Sequence, residues 1–296
     1  MELSDSDGPE GWWHAIAPHL DDRQWDEVFE HFAGCLAMTG RRRLNLLVER
    51  ILGTAKPGDL ASLTRAVGVL GRILRILEVY NYQPPERLGW QKAREQVMDI
   101  FTPKGASRVP VNQRIAAAEA LGQAGDPRCD AFAPEMLPVS GIPDVLLGKY
   151  PVTVAEFQCF IQSGGYQDRH AWGKWWDVKE ESGWTEPARW DGQIDHLNRP
   201  VTGVSWYEAE VYSKWLAGKT GMNFRLPKDV EWEKAATHPK GDYPWGPVEP
   251  TPELMNFDGN VGNPTPVGIY QAGAAPGGQL DMAGNVWEWC EDRYRK

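Results

Sequence analysis

At 296 residues the chain is too long for one small domain and suits two. A hydrophobic share of 42% is ordinary for a globular protein, and the most apolar stretch, 66–80, is interrupted by Arg72 and Arg75, so no membrane span is expected. The net charge of −10 is unevenly spread, with −8 over residues 1–40, +7 over 41–120 and −9 over the remainder.

The basic stretch opens with Arg41, Arg42 and Arg43 but sits among helix formers. It reads as a solvated helix face, and no nucleic-acid partner is expected. Residues 1–10 are acidic, without a basic n-region or apolar h-region, so no secretory leader is expected there. Cys35, Cys129, Cys159 and Cys290 are scattered with no CxxC spacing, the pattern of a reduced, cytoplasmic chain.

The first 125 residues read as helices. Trp25, Val28, Phe29, Phe32 and Leu36 fall at helical spacing within 22–38. The pattern repeats over 43–52 and again over 60–80, where Leu63, Val67, Leu70, Ile73, Leu74 and Leu77 form the stripe. Pro84-Pro85 opens a further helix to about Phe101. An Ala/Leu-rich helix from Arg114 ends at Gly125-Asp126-Pro127, which resembles one HEAT-type repeat unit. This region also resembles the helical part that follows the nucleotide-binding module of bacterial NACHT-type signalling ATPases. No Gly-x-x-x-x-Gly-Lys-Ser/Thr loop occurs, so the chain carries no P-loop.

From Asp126 onward the composition shifts to Pro, Gly and Trp. Residues 145–152 are strand-like, and Thr153 with Glu156 makes a capping box that opens a helix with Phe157 and Phe160 inward. Residues 163–200 form a long aperiodic insertion with five tryptophans, too aromatic for disorder. Ser205 with Glu208 is a second capping box, ahead of a stripe of Ala209, Tyr212, Trp215 and Leu216 closed by Gly218 or Gly221. A third helix follows Phe224-Arg-Leu-Pro227 and contains Trp232. Residues 243–246 read as a turn, 264–270 as a strand and 273–278 as a loop.

Five motifs occur in one order: Tyr150-Pro-Val-Thr153, Pro200-Val-x-Gly-Val-Ser-Trp-Tyr-Glu-Ala209, Arg225-Leu-Pro with Glu231-Trp-Glu233-x-Ala-Ala236, Tyr243-Pro-Trp-Gly246, and Gly284-Asn-Val-Trp-Glu-Trp289. Together they resemble the formylglycine-generating enzyme (sulfatase-modifying factor) family. The resemblance implies an α+β, C-type-lectin-like fold over 146–296, behind an α-helical, HEAT-like domain over 1–128 and a linker with an entry strand over 129–145. One departure is local: the family has Thr where Lys228 stands. Lys cannot accept a backbone N–H, so the third helix is expected to lose its cap, at about 1 kcal/mol.

The resemblance also implies chemistry. Family members hold structural Ca²⁺ in a loop matching Asp281 to Glu288; by position Asp281 and Glu288 supply carboxylates, and Met282, Gly284 and Val286 backbone carbonyls. Calcium takes six to eight oxygens, which such a turn approaches. A second family site would begin at Asn256-Phe257, but its later ligands fall in a loop that is shorter here. The family's oxidases bind Cu(I) through a cysteine pair in a segment of the form Arg-Gly-Gly-Ser-Trp…Gly-Phe-Arg, which follows the Gly284–Trp289 motif. Without it the domain is expected to be incomplete at its C-terminus, with unpaired sheet edges. The expected function is therefore a non-catalytic ligand-binding or sensing module within a larger bacterial signalling or retroelement-diversified protein. The alternative is a formylglycine-generating oxidase, with Cu(I), if the cysteine pair lies beyond Lys296. The sulfoxide-synthase relatives use iron held by a His-x-x-x-His-x-Glu pattern, which His14 and His19 do not match. Trp175, Trp176 and Trp184, with His170 and Arg169, could line a ligand groove or replace regular core; a protein or peptide ligand is the expected partner.

Overall fold

Two glycines on one helix face decide how the helical unit packs. The computed structural model describes residues 8–20 and 22–292, so the acidic opening residues 1–7 and the last positions, 293–296, lie outside the described residues. About half of the chain is helical, with little strand. It divides into two compact units, Met1–Ala124 and Gly125–Lys296.

The first unit contains α1 (Gly8–Ile16), α2 (Asp26–Thr39), α3 (Arg41–Leu52), α4 (Leu60–Leu77), α5 (Trp90–Val97), the short α6 (Pro103–Ala106) and α7 (Val111–Gln123). Asp59 caps α4 by accepting the Ala61 N–H at 3.1 Å. Helix α4 is amphipathic, with Val67, Leu70, Ile73 and Leu77 buried and Arg65, Arg72 and Arg75 on a partly exposed face. Its Gly71 faces Ala120 of α7 so closely that a Cβ there would lie 2.0 Å from the Ala120 Cβ. Gly68 meets Ala116 in the same way at 3.0 Å. Small residues on both helices thus let two backbones approach, a geometry any larger side chain would force apart. The stripe read over 60–80 ends as a 3-10 turn, Glu78–Tyr80, where Asn81 adopts a left-handed conformation.

The second unit has one two-stranded antiparallel sheet among its described residues, β1 (Met136–Pro138) with β2 (Leu146–Gly148). Its helices are α8 (Val154–Gln162), α9 (Arg169–Trp172), α10 (Trp176–Ser182), α11 (Trp206–Thr220) and α12 (Asp229–Ala236). The core joins Phe157 and Phe160 of α8 to Val211, Tyr212, Trp215 and Leu216 of α11, with Tyr166 and Trp172 filling the side. Both capping boxes form: Thr153 and Ser205 accept the N–H groups of Glu156 and Glu208, whose carboxylates return to accept the Thr153 and Ser205 N–H groups at 2.7 Å. The next orphan donors of α8 are also met, since Val154 and Ala155 donate to the carbonyls of Arg199 and Leu197. Gly221 closes α11 at φ 71°.

The aperiodic insertion proves to be ordered, and one expectation changes. The insertion over 163–200 is folded into α9, α10 and two 3-10 turns, each a few residues long, and Asp168 caps α9 by accepting from His170 and Ala171. Pieces that short leave no periodicity to read. Residues 264–270 are not a strand: Pro264 and Pro266 lack donors, Gly268 turns the chain at φ 77°, and the Val267 N–H goes to the Asn198 carbonyl.

At α12 the Lys228 side chain makes no cap hydrogen bond, whereas Glu231 still accepts the Lys228 N–H at 2.8 Å. One half of the box survives. Lys228→Thr should restore the other half and raise stability by about 0.5–1 kcal/mol, read as a higher urea midpoint at unchanged slope. Gly71→Ala should lower that midpoint, since the clash with Ala120 cannot be relieved within either helix.

Candidate functional site

The terminal turn is built by three successive departures from ordinary backbone. Asp281 and Asn285 take φ values of 60° and 62°, and Gly284 lies at 75°. Only glycine fits at 284, because a Cβ there would stand 2.3 Å from the Asn256 carbonyl oxygen. The turn folds Asp281 inward: it is 6% exposed, accepts the Gly268 N–H at 3.0 Å and receives the Asn285 amide at 3.4 Å.

Asp281, Met282, Gly284, Val286 and Glu288 all line one cavity of about 490 Å³, which Asp229, Trp232 and Asp258 also border. Burial pushes the Asp281 carboxyl up to about 6, although the Gly268 N–H and Arg128 oppose it. Burial likewise raises Glu288 to about 7, and the charge of Asp281 adds to the rise. The nearby Arg128 guanidinium is committed elsewhere, bridging Asp126 at 2.5 Å and donating to the Val267 carbonyl at 2.8 Å. Both carboxyls thus border one cavity, and burial raises both. Among the described residues no three His, Cys, Asp or Glu side chains converge on a metal-sized point. A hard cation at this turn would therefore depend on backbone carbonyls beside the two acids.

A second cavity, of about 480 Å³, lies between β2, α11 and the terminal segment. Its lining is mainly apolar, including Leu146, Val204, Tyr212, Leu216, Phe224 and Trp289. Trp287 is fully exposed and Trp289 is half-exposed, although the Trp289 indole N–H is anchored to the Val204 carbonyl at 2.9 Å. Sequence patterning does not reveal this cavity, because its walls come from segments spread between residues 134 and 289.

The tryptophan-rich residues sit elsewhere. Trp175 donates to Glu210 at 2.7 Å and meets Trp206 and Tyr207 edge-on. Trp184 leans on Trp172 and Tyr207, and Trp176 is flanked by the cations of Arg169 and Lys179. His170 lies exposed at the start of α9. Trp175, Trp176 and Trp184 pack against the α8–α11 core, and none of the five side chains borders either of the two cavities.

The thiols are quiet. Burial pushes the Cys129 and Cys159 thiols up, and Cys290 to about 11, so each is held as the weakly nucleophilic thiol. All four cysteines are free.

Comparison with known proteins places this geometry. Residues 115–296 match the model of the sulfatase-modifying factor enzyme 1-like domain. The chain belongs to that family. It is 38% identical over 173 residues to the hercynine oxygenase of Mycolicibacterium thermoresistibile, covering 53% of this chain and 37% of that protein. The Mycobacterium tuberculosis hercynine oxygenase is 37% identical over 189 residues, covering 58% of this chain and 43% of that protein. The formylglycine-generating enzyme of M. tuberculosis is 35% identical over 167 residues, covering 50% and 53%. The chain thus spans about four-tenths of the length of the first two relatives. No described helix is long and apolar enough to cross a membrane.

One charge pair bordering the apolar cavity is open to a pH test. Arg225 holds Glu231 bidentately at 2.7 Å and keeps its carboxyl down at about 2. A depressed acid stabilises the fold above its unfolded value and loses that contribution as pH falls through the folded one. The pair should contribute about 1–2 kcal/mol after screening at the partly exposed Arg225, lost between roughly pH 4.5 and 2. Urea melts of Arg225→Met across this range should show a shallower acid decline than the parent.

Proposed function

We propose that residues 125–296 form a ligand-binding module of the formylglycine-generating-enzyme family, C-type-lectin-like in organisation and non-catalytic in itself. The observation that carries this reading is the apolar cavity rimmed by Trp287 and Trp289. Its size lies within the range of small-ligand and side-chain pockets, and its aromatic rim suits a protein or peptide ligand. The helical unit, packed through Gly68 and Gly71, is read as a HEAT-like scaffold that couples the module to a partner within a larger signalling protein, in the cytoplasm.

The module is further read as holding structural Ca²⁺ at the terminal turn. Asp281 and Glu288 would supply carboxylates, and Met282, Gly284 and Val286 carbonyls. A bound cation would compensate two carboxylates that burial otherwise disfavours and would stiffen a turn already held at positive φ.

The relatives favour a second reading. Likeness to hercynine oxygenases and formylglycine-generating enzymes is the likeness of an enzyme family. An oxidase would need a soft thiolate pair for Cu(I), which the raised thiols of Cys129, Cys159 and Cys290 do not offer by themselves.

Two experiments test these readings. The protein incubated with Cu(I), which soft thiolates bind, and a Cys-x-Pro-x-Arg peptide should leave the peptide mass unchanged; a loss of about 18 Da overturns the non-catalytic reading. Calcium at about a hundredfold excess over its Kd should stabilise the fold by about 2.7 kcal/mol relative to EDTA. Asp281→Ala should abolish that gain, and an unchanged melting temperature in the parent protein would sink the calcium reading.

A further inference from the structure

The loop over 256–265 and the terminal turn are separate segments of the chain, yet they share a single side chain. The Asn285 Oδ1 accepts from the Thr265 N–H at 2.8 Å, the Thr265 hydroxyl at 3.3 Å and the Asn256 amide at 3.2 Å. Its Nδ2 donates to the Thr265 carbonyl at 3.2 Å and to Asp281 at 3.4 Å. The Asn285 backbone N–H donates to the Asn256 carbonyl at 2.9 Å, and Asn256 in turn closes its own loop by donating to the Asn263 carbonyl at 2.9 Å. Asn256 and Thr265 are buried, so none of these bonds is readily replaced by water.

We infer that Asn285 is the positioning residue that couples cation binding at the terminal turn to the order of the 256–265 loop, an inference that rests on the calcium reading above. The physical basis is that the Asn285 Nδ2 touches both Asp281, the proposed ligand, and the Thr265 carbonyl, while its Oδ1 holds Thr265 and Asn256. An ion that fixes Asp281 therefore fixes the Asn285 amide, and with it Thr265 and Asn256. The loop contributes in return: Asp258, held at φ 49°, borders the cavity shared by Asp281 and Glu288 and adds a negative field there without joining them as a third close ligand. Because Asp258 is exposed, its charge can be removed without disturbing the core. Coupling of this kind is reciprocal, so whatever loosens the loop must weaken the ion.

The test uses the full chain, calcium titration by calorimetry, and amide hydrogen exchange with and without the ion. Calcium should protect amides across 256–265 as well as 281–288. Asn285→Ala should weaken calcium by about tenfold, the loss of one to two net hydrogen bonds, and should uncouple loop protection from the ion. Asp258→Asn should weaken calcium by a smaller factor with Asn285 and the melting temperature intact, which separates coupling from simple loss of structure. Calcium binding that protects 281–288 and leaves 256–265 unchanged overturns the coupling alone. So does Asn285→Ala with parental affinity. Absence of calcium binding in the parent protein overturns the metal reading and this inference with it.

Discussion

Buried carboxylates that accept backbone N–H groups hold together a unit with almost no sheet. Glu156 and Glu208 close the first turns of α8 and α11, Asp281 takes the Gly268 N–H, and Asp126 takes the Arg128 N–H and the Asn198 amide. In a fold of long strands these donors would be spent on ladders. Here loops must cross the interior, and each crossing brings N–H groups that need an acceptor out of reach of water. A carboxylate is the strongest such acceptor, and burial in turn pushes Glu156 and Asp281 above their ordinary range. The same dependence explains why Tyr166 donates its hydroxyl to Glu208, putting an aromatic core residue and a helix cap on one carboxylate.

The tryptophans serve that arrangement. Trp172 is fully buried and still satisfies its indole N–H on the Gly165 carbonyl, and Trp206 does so on the Cys290 carbonyl. Each ring fills the volume that regular elements would occupy and ties down a loop carbonyl as it does so. The helical unit solves the opposite problem with the smallest residues, bringing α4 and α7 together where Gly71 meets Ala120. One chain thus uses bulk with a polar handle where backbone is irregular, and absence of bulk where it is regular.

Family and function part company at the sites. The match over 115–296 establishes the domain, yet the relatives to which this chain is similar include oxygenases and a formylglycine-generating enzyme. A fold shared across such names supports several chemistries, so the reading must come from residues. Those on which it turns are two raised carboxylates, three raised thiols and an apolar cavity.

Local signals in the sequence were enough for much that is decided within a turn or two. The capping boxes at Thr153 and Ser205, the missing cap at Lys228, the Tyr243–Gly246 turn and helices α2, α3, α4 and α7 follow from spacing and side-chain chemistry among near neighbours. The helix expected from Pro84-Pro85 to Phe101 does not form as one piece: Glu86–Leu88 is a 3-10 turn, Gly89 is left-handed at φ 76°, and α5 spans only Trp90–Val97. The five ordered motifs carried the family, because each marks a local geometry. Residues 264–270 resisted the same reading: their apolar pattern suggested a strand, while the partners that decided otherwise, Asn198 and Asp281, are remote in sequence. The Trp175, Trp176 and Trp184 rings could be core or groove on sequence alone, and packing placed them beside α8 and α11. The two cavities and the Asn285 junction belong wholly to tertiary structure. Their walls join segments dozens of residues apart, and burial, which sets the proton affinity of Asp281 and Glu288, exists only once those segments have met.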